Sequence, residues 1–144
     1  MFRNLKVVTS ADLRGIHPAK RDRMMFLDGY ERIDKGIACV WVRGEATDAE
    51  IYDALGADPK KVAEAEMLLV IGACGVSPDV ISSSHFGKLL DIKGVKQNIL
   101  LHRLGFRQYP YVINWSGKTT RVWIKPELLG CTPAVLRASL DATC

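Results

Sequence analysis

The run Tyr111-Val112-Ile113-Asn114-Trp115-Ser116-Gly117-Lys118-Thr119-Thr120-Arg121-Val122-Trp123-Ile124-Lys125 leaves the chain few choices. Segments that alternate in polarity flank Ser-Gly, a pair suited to the positive φ angles of a tight hairpin turn. The reading is a β-hairpin closing on Ser116-Gly117, with Tyr111 to Trp115 outbound, Arg121 to Lys125 returning, and Pro126 ending the pairing. Upstream the period changes from two to that of a helix. Val95, Ile99, Leu100, Leu101 and Leu104 form one apolar stripe, leaving Lys96, Gln97, Asn98, His102 and Arg103 on the remaining surface. Gly105 stands where a C-terminal glycine cap belongs. An earlier helix turns Phe86, Leu89 and Leu90 inward, and Asp91-Ile92-Lys93-Gly94 supplies the turn between the two. That earlier helix either begins at Ser82, Ser83 or Ser84 or continues one opened by Ser77-Pro78.

The first half is less regular. Leu5 to Val8 reads as a short strand, and Ser10 to Leu13 as a helical turn ended by His17-Pro18. Lys20-Arg21-Asp22-Arg23 is either a second phosphate contact or the solvated face of a helix. Ile37 to Val42, β-branched and apolar, is a strand. Thr47-Asp48-Ala49-Glu50 is a capping box that opens a helix to about Leu55. Asp58-Pro59 opens another, to about Ala73, whose later half is apolar almost all round and so belongs in the middle of a core. The fold class expected is α+β, mainly helical, with one or two short N-terminal strands. Residues 1–76 form a helical or mixed support region. Residues 77–144 carry helix, turn, helix and hairpin, the plan of a winged helix-turn-helix with a hairpin wing, followed by a short helix from about Ala134 to Leu140.

Charge is unevenly placed. Gly36 to Val80 holds three basic and eight acidic residues, a net of −5, whereas Ile81 to Lys125 holds eight basic residues against Asp91 alone, a net of +7. A polyanion is drawn to the second segment. No apolar run approaches the roughly 18–20 residues of a membrane span, and the first residues lack the apolar core of a secretion signal, so a cytoplasmic protein with no membrane partner is expected. Cys39, Cys74, Cys131 and Cys144 lie far apart with no C-x-x-C. They read as free thiols, with Cys39 and Cys74 packed as small apolar groups, and not as a zinc site.

The candidate contacts follow from these placements. A helix in the major groove needs long donors for guanine and amides for adenine, which Lys96, Gln97, Asn98, His102 and Arg103 offer. Ser82, Ser83, Ser84 and Lys88 at the start of the preceding helix suit phosphate, and Lys93 and Arg107 complete the set of nucleic-acid-binding candidates. Lys118, Thr119 and Arg121 are the wing contacts. Trp115 and Trp123 pack the hairpin in preference to stacking on bases. His17, His85 and His102 have no partner at a recognisable catalytic spacing, and Ser82-Ser83-Ser84-His85 reads as helix capping. No phosphate loop, dinucleotide fingerprint or metalloprotease motif is present. The expectation is a binding protein, not an enzyme, with no cofactor and no metal.

The runs H-F-G-K-L-L, K-Q-N-I-L-L-H-R-L-G-F and V-I-N-W-S-G-K-T-T-R-V-W-I-K resemble winged-helix domains of bacteriophage and plasmid origin. They look most like those of phage-type primase-helicases, in which a helix pair ending in L-G-F leads into a hairpin ending in R-x-W. The resemblance covers residues 81–125, about a third of the chain. It implies nucleic-acid binding through Lys96 to Arg103 and Lys118 to Arg121. No helicase or primase segment accompanies it. The expected function is double-stranded DNA binding by a regulator of transcription or a replication accessory of a phage or other mobile element. The alternative is a protein-binding inhibitor or adaptor that meets its partner through the N-terminal region.

Overall fold

A computed structural model describes residues 5–144. The chain is mixed in secondary structure, with six α-helices and small antiparallel sheets among the described residues. It forms two compact units that divide between Ala57 and Asp58.

The first unit is built on β1 (Val7–Thr9), α1 (Pro18–Leu27), β2 (Glu31–Asp34), β3 (Cys39–Val42) and α2 (Asp48–Ala54). The strands pair in the order β1-β3-β2, antiparallel throughout, with Val8 opposite Trp41 and Ile33 opposite Val40. Side chains alternate across a strand. Val8 and Trp41 therefore share one face and pack with Leu13, Met25 and Tyr30, while Val7, Val40 and Val42 share the other and pack with Ile51. The Thr47-Glu50 capping box forms as expected. Pro18, expected to end a helical turn, instead occupies the first turn of α1, where its missing N–H costs nothing. His17 Nδ1 caps that helix by accepting from Ala19 N at 3.2 Å. The Lys20 to Arg23 run lies within α1.

The second unit begins with α3 (Pro59–Ile71) and continues through β4 (Val80–Ser82), α4 (Ser83–Leu90), α5 (Val95–Arg103), β5 (Arg107–Gln108), β6 (Ile113–Trp115), β7 (Lys118–Thr120), β8 (Val122–Ile124) and α6 (Pro133–Asp141). Residues 59–71 belong here, ahead of the division read after residue 76, because Ala65 packs with Val76, Ile81, Phe86, Leu101, Phe106 and Trp123. A three-stranded antiparallel sheet runs β4-β8-β5. Its central strand β8 is buried on both faces. Trp123 joins Ile81 in the cluster with α3, α4 and α5, whereas Val122 and Ile124 join Val80, Leu136 and Leu140 in the cluster with α6.

Several expectations change at this level. The hairpin turns at Ser116-Gly117 with φ of 53° and 77°, the signs a tight two-residue turn requires. However, it joins β6 to β7, pairing Trp115 with Lys118 and Ile113 with Thr120. The segment Val122–Ile124 leaves this ribbon and pairs with β4 and β5 instead. Residues 80–82, read as helix or helix start, form a strand, since pairing with β8 buries Val80 and Ile81 completely. Helix α3 is not enclosed: only Ala65 is buried, and Val70 is 84% and Ile71 72% exposed. Leu89 and Val95, read as inward, are also exposed. Cys74 and Cys144, read as free thiols, form a disulfide. Gly75 N donates to Thr143 Oγ1 at 2.7 Å, and this return of the α6 end brings the two Cα atoms to 4.5 Å. Cys39 and Cys131 are free, and Cys39 Sγ accepts from Arg32 Nη2 at 3.1 Å. No described helix is long and apolar enough to cross a membrane.

Candidate functional site

An open cleft of about 600 Å³ lies within the second unit. Ser83, Ser84, Gly87 and Lys88 reach it from α4, Asp91, Ile92 and Lys93 from the following turn, Gln97 from α5, and Thr119, Thr120 and Arg121 from the end of the hairpin.

Local bonding explains why these elements converge. The Ser83 amide donates to the Arg121 carbonyl at 3.0 Å, which ties the start of α4 to the exit of β7. Gln97 Nε2 donates to the Ser83 carbonyl at 2.7 Å and to Ser83 Oγ at 3.0 Å, tying α5 to the same point. Asp91 closes α4 with φ of 50°, and the Ile92 amide returns to the Gly87 carbonyl at 3.0 Å. Gly87 permits the close approach of this turn. A Cβ there lies 2.8 Å from the Ile92 carbonyl oxygen.

The electrostatics are one-sided. Lys88, Lys93 and Arg121 are exposed, and Asp91 is the one acidic residue lining the cleft. Among the described residues the ion pairs are Lys6–Glu50, Arg32–Asp22, Lys35–Asp48, Arg43–Asp28 and Lys61–Glu64. None includes a lysine or arginine between residues 81 and 125, and of these Lys88, Lys93, Lys96, Lys118 and Arg121 are exposed to solvent, whereas Lys125 Nζ donates to the Leu104 carbonyl at 3.1 Å.

The sequence-derived site residues separate into three groups. Ser83, Ser84, Lys88, Lys93, Gln97, Thr119 and Arg121 come together at the cleft. Lys96, Asn98 and Lys118 are exposed outside its lining, and Arg103 is half-buried. Ser82, Gln97 and His102 are buried, although Gln97 and His102 were read as surface groups. Ser82 Oγ lies 3.0 Å from His85 Nδ1, and the His85 ring packs on Trp115 at 5.0 Å. Arg107 Nη1 donates to the Phe106 carbonyl at 2.7 Å and the His102 carbonyl at 3.3 Å, so much of its donor capacity is used within the fold. Trp115 and Trp123 are core groups, 6% and 4% exposed. Gly87, Asp91, Ile92 and Thr120 were not singled out for the site. A lone glycine inside an amphipathic helix was the available signal for Gly87.

Among the other hollows, two differ in chemistry from the cleft. One, between α3 and α4, is apolar and includes Met67, Leu68, Ile71, Leu89 and Leu90. The other, in the first unit, gathers Arg21, Asp22, Arg32, Cys39 and Trp41. There the Arg32 guanidinium pKa is raised, first by its bond to the Cys39 sulfur and then by Asp22. No group of three or more His, Cys, Asp or Glu side chains able to hold a metal occurs among the described residues.

No protein-family model, curated protein or solved structure matches this chain.

Proposed function

We propose that the second unit is a winged-helix module that binds double-stranded DNA through a basic surface centred on the α4–α5–hairpin cleft. The observation that carries this reading is the set of unpaired cations, Lys88, Lys93 and Arg121, gathered at one cleft with Ser84 and Thr119. Phosphate favours such a site because long cationic donors and hydroxyls bind its oxygens together. The order α3, β4, α4, α5, β5, hairpin, β8, with a β4-β8-β5 sheet, supports the module assignment. The resemblance of residues 81–125 makes a regulator or replication accessory of a mobile element the working role.

The test is fluorescence anisotropy of a labelled mixed-sequence duplex. Micromolar or tighter binding at low salt, weakening steeply toward physiological salt through counterion release, is the expected result. No binding at low salt overturns the reading. A cytoplasmic setting belongs to the same proposal but stands against the Cys74–Cys144 bridge, because cytosolic reductants keep thiols reduced.

A second reading, a protein-binding module, draws on a separate observation. Met67, Val70 and Ile71 of α3 and Leu89 of α4 are each at least half exposed, and contiguous apolar surface of this kind marks interaction sites. Capture of a defined protein partner that is lost with Val70→Glu, without any DNA binding, favours it.

A further inference from the structure

Resting on the DNA-binding reading, we infer that this protein grips the phosphodiester backbone in the cleft and does not read base sequence with α5. The ligand class is duplex DNA recognised by charge and shape, independent of its bases.

The argument begins with the enclosure of α5. Successive residues of an α-helix point about 100° apart. Ile99, Leu100, Leu101 and His102 are all buried. Four consecutive buried residues span about 300° of the helix circumference, so the second half of α5 is surrounded by the rest of its unit. That half cannot lie in a major groove, which must admit the outer surface of a reading helix.

The chemistry of what remains points the same way. Gln97, one of two amides suited to adenine, is 7% exposed and spends its Nε2 on Ser83. His102 is equally buried. The polar side chains on α5 that keep solvent access are Lys96 and Asn98, both exposed, and Arg103, half-buried, beside the bare apolar Val95, which is 72% exposed. Two residues apart on a helix, Lys96 and Asn98 point in widely different directions, so they do not form one reading face. Meanwhile three unpaired cations stand at the cleft, contributed by α4, the turn and the strand exit. Contacts to phosphate fix position and supply affinity but carry no sequence information. The distribution of free donors is that of a backbone binder.

The test uses the full chain, a labelled 20-base-pair duplex and its scrambled versions, titrated across a salt series. Folding of each variant is checked by circular dichroism and thermal melting. Lys88→Ala/Lys93→Ala/Arg121→Ala is expected to weaken binding at least about tenfold and to lower the slope of log K against log salt by about 2–3, near one per lost phosphate contact. Lys96→Ala/Asn98→Ala is expected to change affinity less than about threefold, and scrambled duplexes to bind within the same margin of one another. An α5 pair as damaging as the cleft triple, or selection from a random pool of a site bound about 10³-fold more tightly, as specific readers achieve, overturns the inference while leaving DNA binding standing. Absence of binding by the unaltered protein to any duplex at low salt removes the DNA-binding reading, and this inference falls with it.

Discussion

Gly87 shows how one missing side chain sets the geometry of the cleft. A Cβ at this position falls 2.8 Å from the Ile92 carbonyl oxygen and 2.9 Å from Gln97 Oε1. The side-chain amide could rotate away, but the backbone oxygen belongs to the turn that closes α4 and cannot. Alanine is favoured over glycine in a helix interior by about 1 kcal/mol, whereas forcing extra volume into a packed site costs about 1–3 kcal/mol. The steric cost should win, because the obstacle is backbone. Gly87→Ala is expected to lower stability by about 1–2 kcal/mol in urea unfolding, and to widen the cleft by displacing Ile92. A variant as stable as the parent shows that the turn gives way freely. Gln97 illustrates the opposite side of the same contact. Its polarity suggests a surface group, and nothing local in K-Q-N-I-L-L reveals that its amide is committed to Ser83, fourteen residues away.

Elements divide by whether their causes are local. Glu50 is a local case, and its behaviour is testable. The backbone amide of Thr47, and after it Lys6, hold the Glu50 carboxyl below its ordinary pKa. A carboxylate with a lowered folded-state pKa stabilises above its unfolded value and loses that contribution as pH falls through the folded one. Glu50→Gln is therefore expected to destabilise the first unit at neutral pH, and the difference from the parent should vanish in acid below the folded-state pKa. Urea unfolding followed from neutral to acidic pH checks it, and a difference constant with pH refutes the assignment. The capping box, the Asp58-Pro59 helix start, the Ser116-Gly117 turn and the α6 segment could all be read from sequence for the same reason: each is specified by a few adjacent residues. Strand β4 could not. Val80-Ile81-Ser82 is too short to show a period, and only pairing with β8, some forty positions on, makes it extended. The partner of β8 was misassigned because adjacency favours a hairpin, whereas burial of Val122 and Ile124 against Leu136 and Leu140 requires the longer-range pairing. Helix α3 was misplaced because a run of apolar residues reports hydrophobicity without reporting what is present to cover it. Of the site, the cations could be read from charge placement, but the burial of Gln97 and His102 depended on tertiary packing.

At the scale of the whole molecule, charge and covalent linkage both single out the second unit. Residues 1–57 hold nine basic and nine acidic residues, and residues 58–144 hold eleven and seven, so the entire net charge of +4 resides in the second. That unit is also the one closed by a disulfide, between residues separated by 70 positions. Joining positions so far apart restricts the unfolded chain more than it restricts the folded one, and for a loop of this length the chain-entropy estimate is about 4 kcal/mol. Without the bridge, the end of α6 is held by Leu136 and Leu140 in the core, by Trp115 Nε1 donating to Asp141 at 2.8 Å, and by the Gly75–Thr143 hydrogen bond. Those contacts keep the fold defined but leave the unfolded state unrestricted. Cys74→Ser/Cys144→Ser is therefore expected to fold with the same circular dichroism spectrum and to unfold at markedly lower urea concentration, by about 4 kcal/mol or somewhat less. Dithiothreitol should shift the parent to the same midpoint and leave the variant unmoved. Both cysteines are exposed, so reductant reaches them directly. The same pair reports on where the protein works. Trapping thiols with an alkylating agent before cell lysis distinguishes a bridged protein, matured in oxidising surroundings, from a reduced one that relies on its packing and hydrogen bonds. A parent unaffected by complete reduction shows that α6 is held by packing and hydrogen bonds, and that the bridge contributes little to stability.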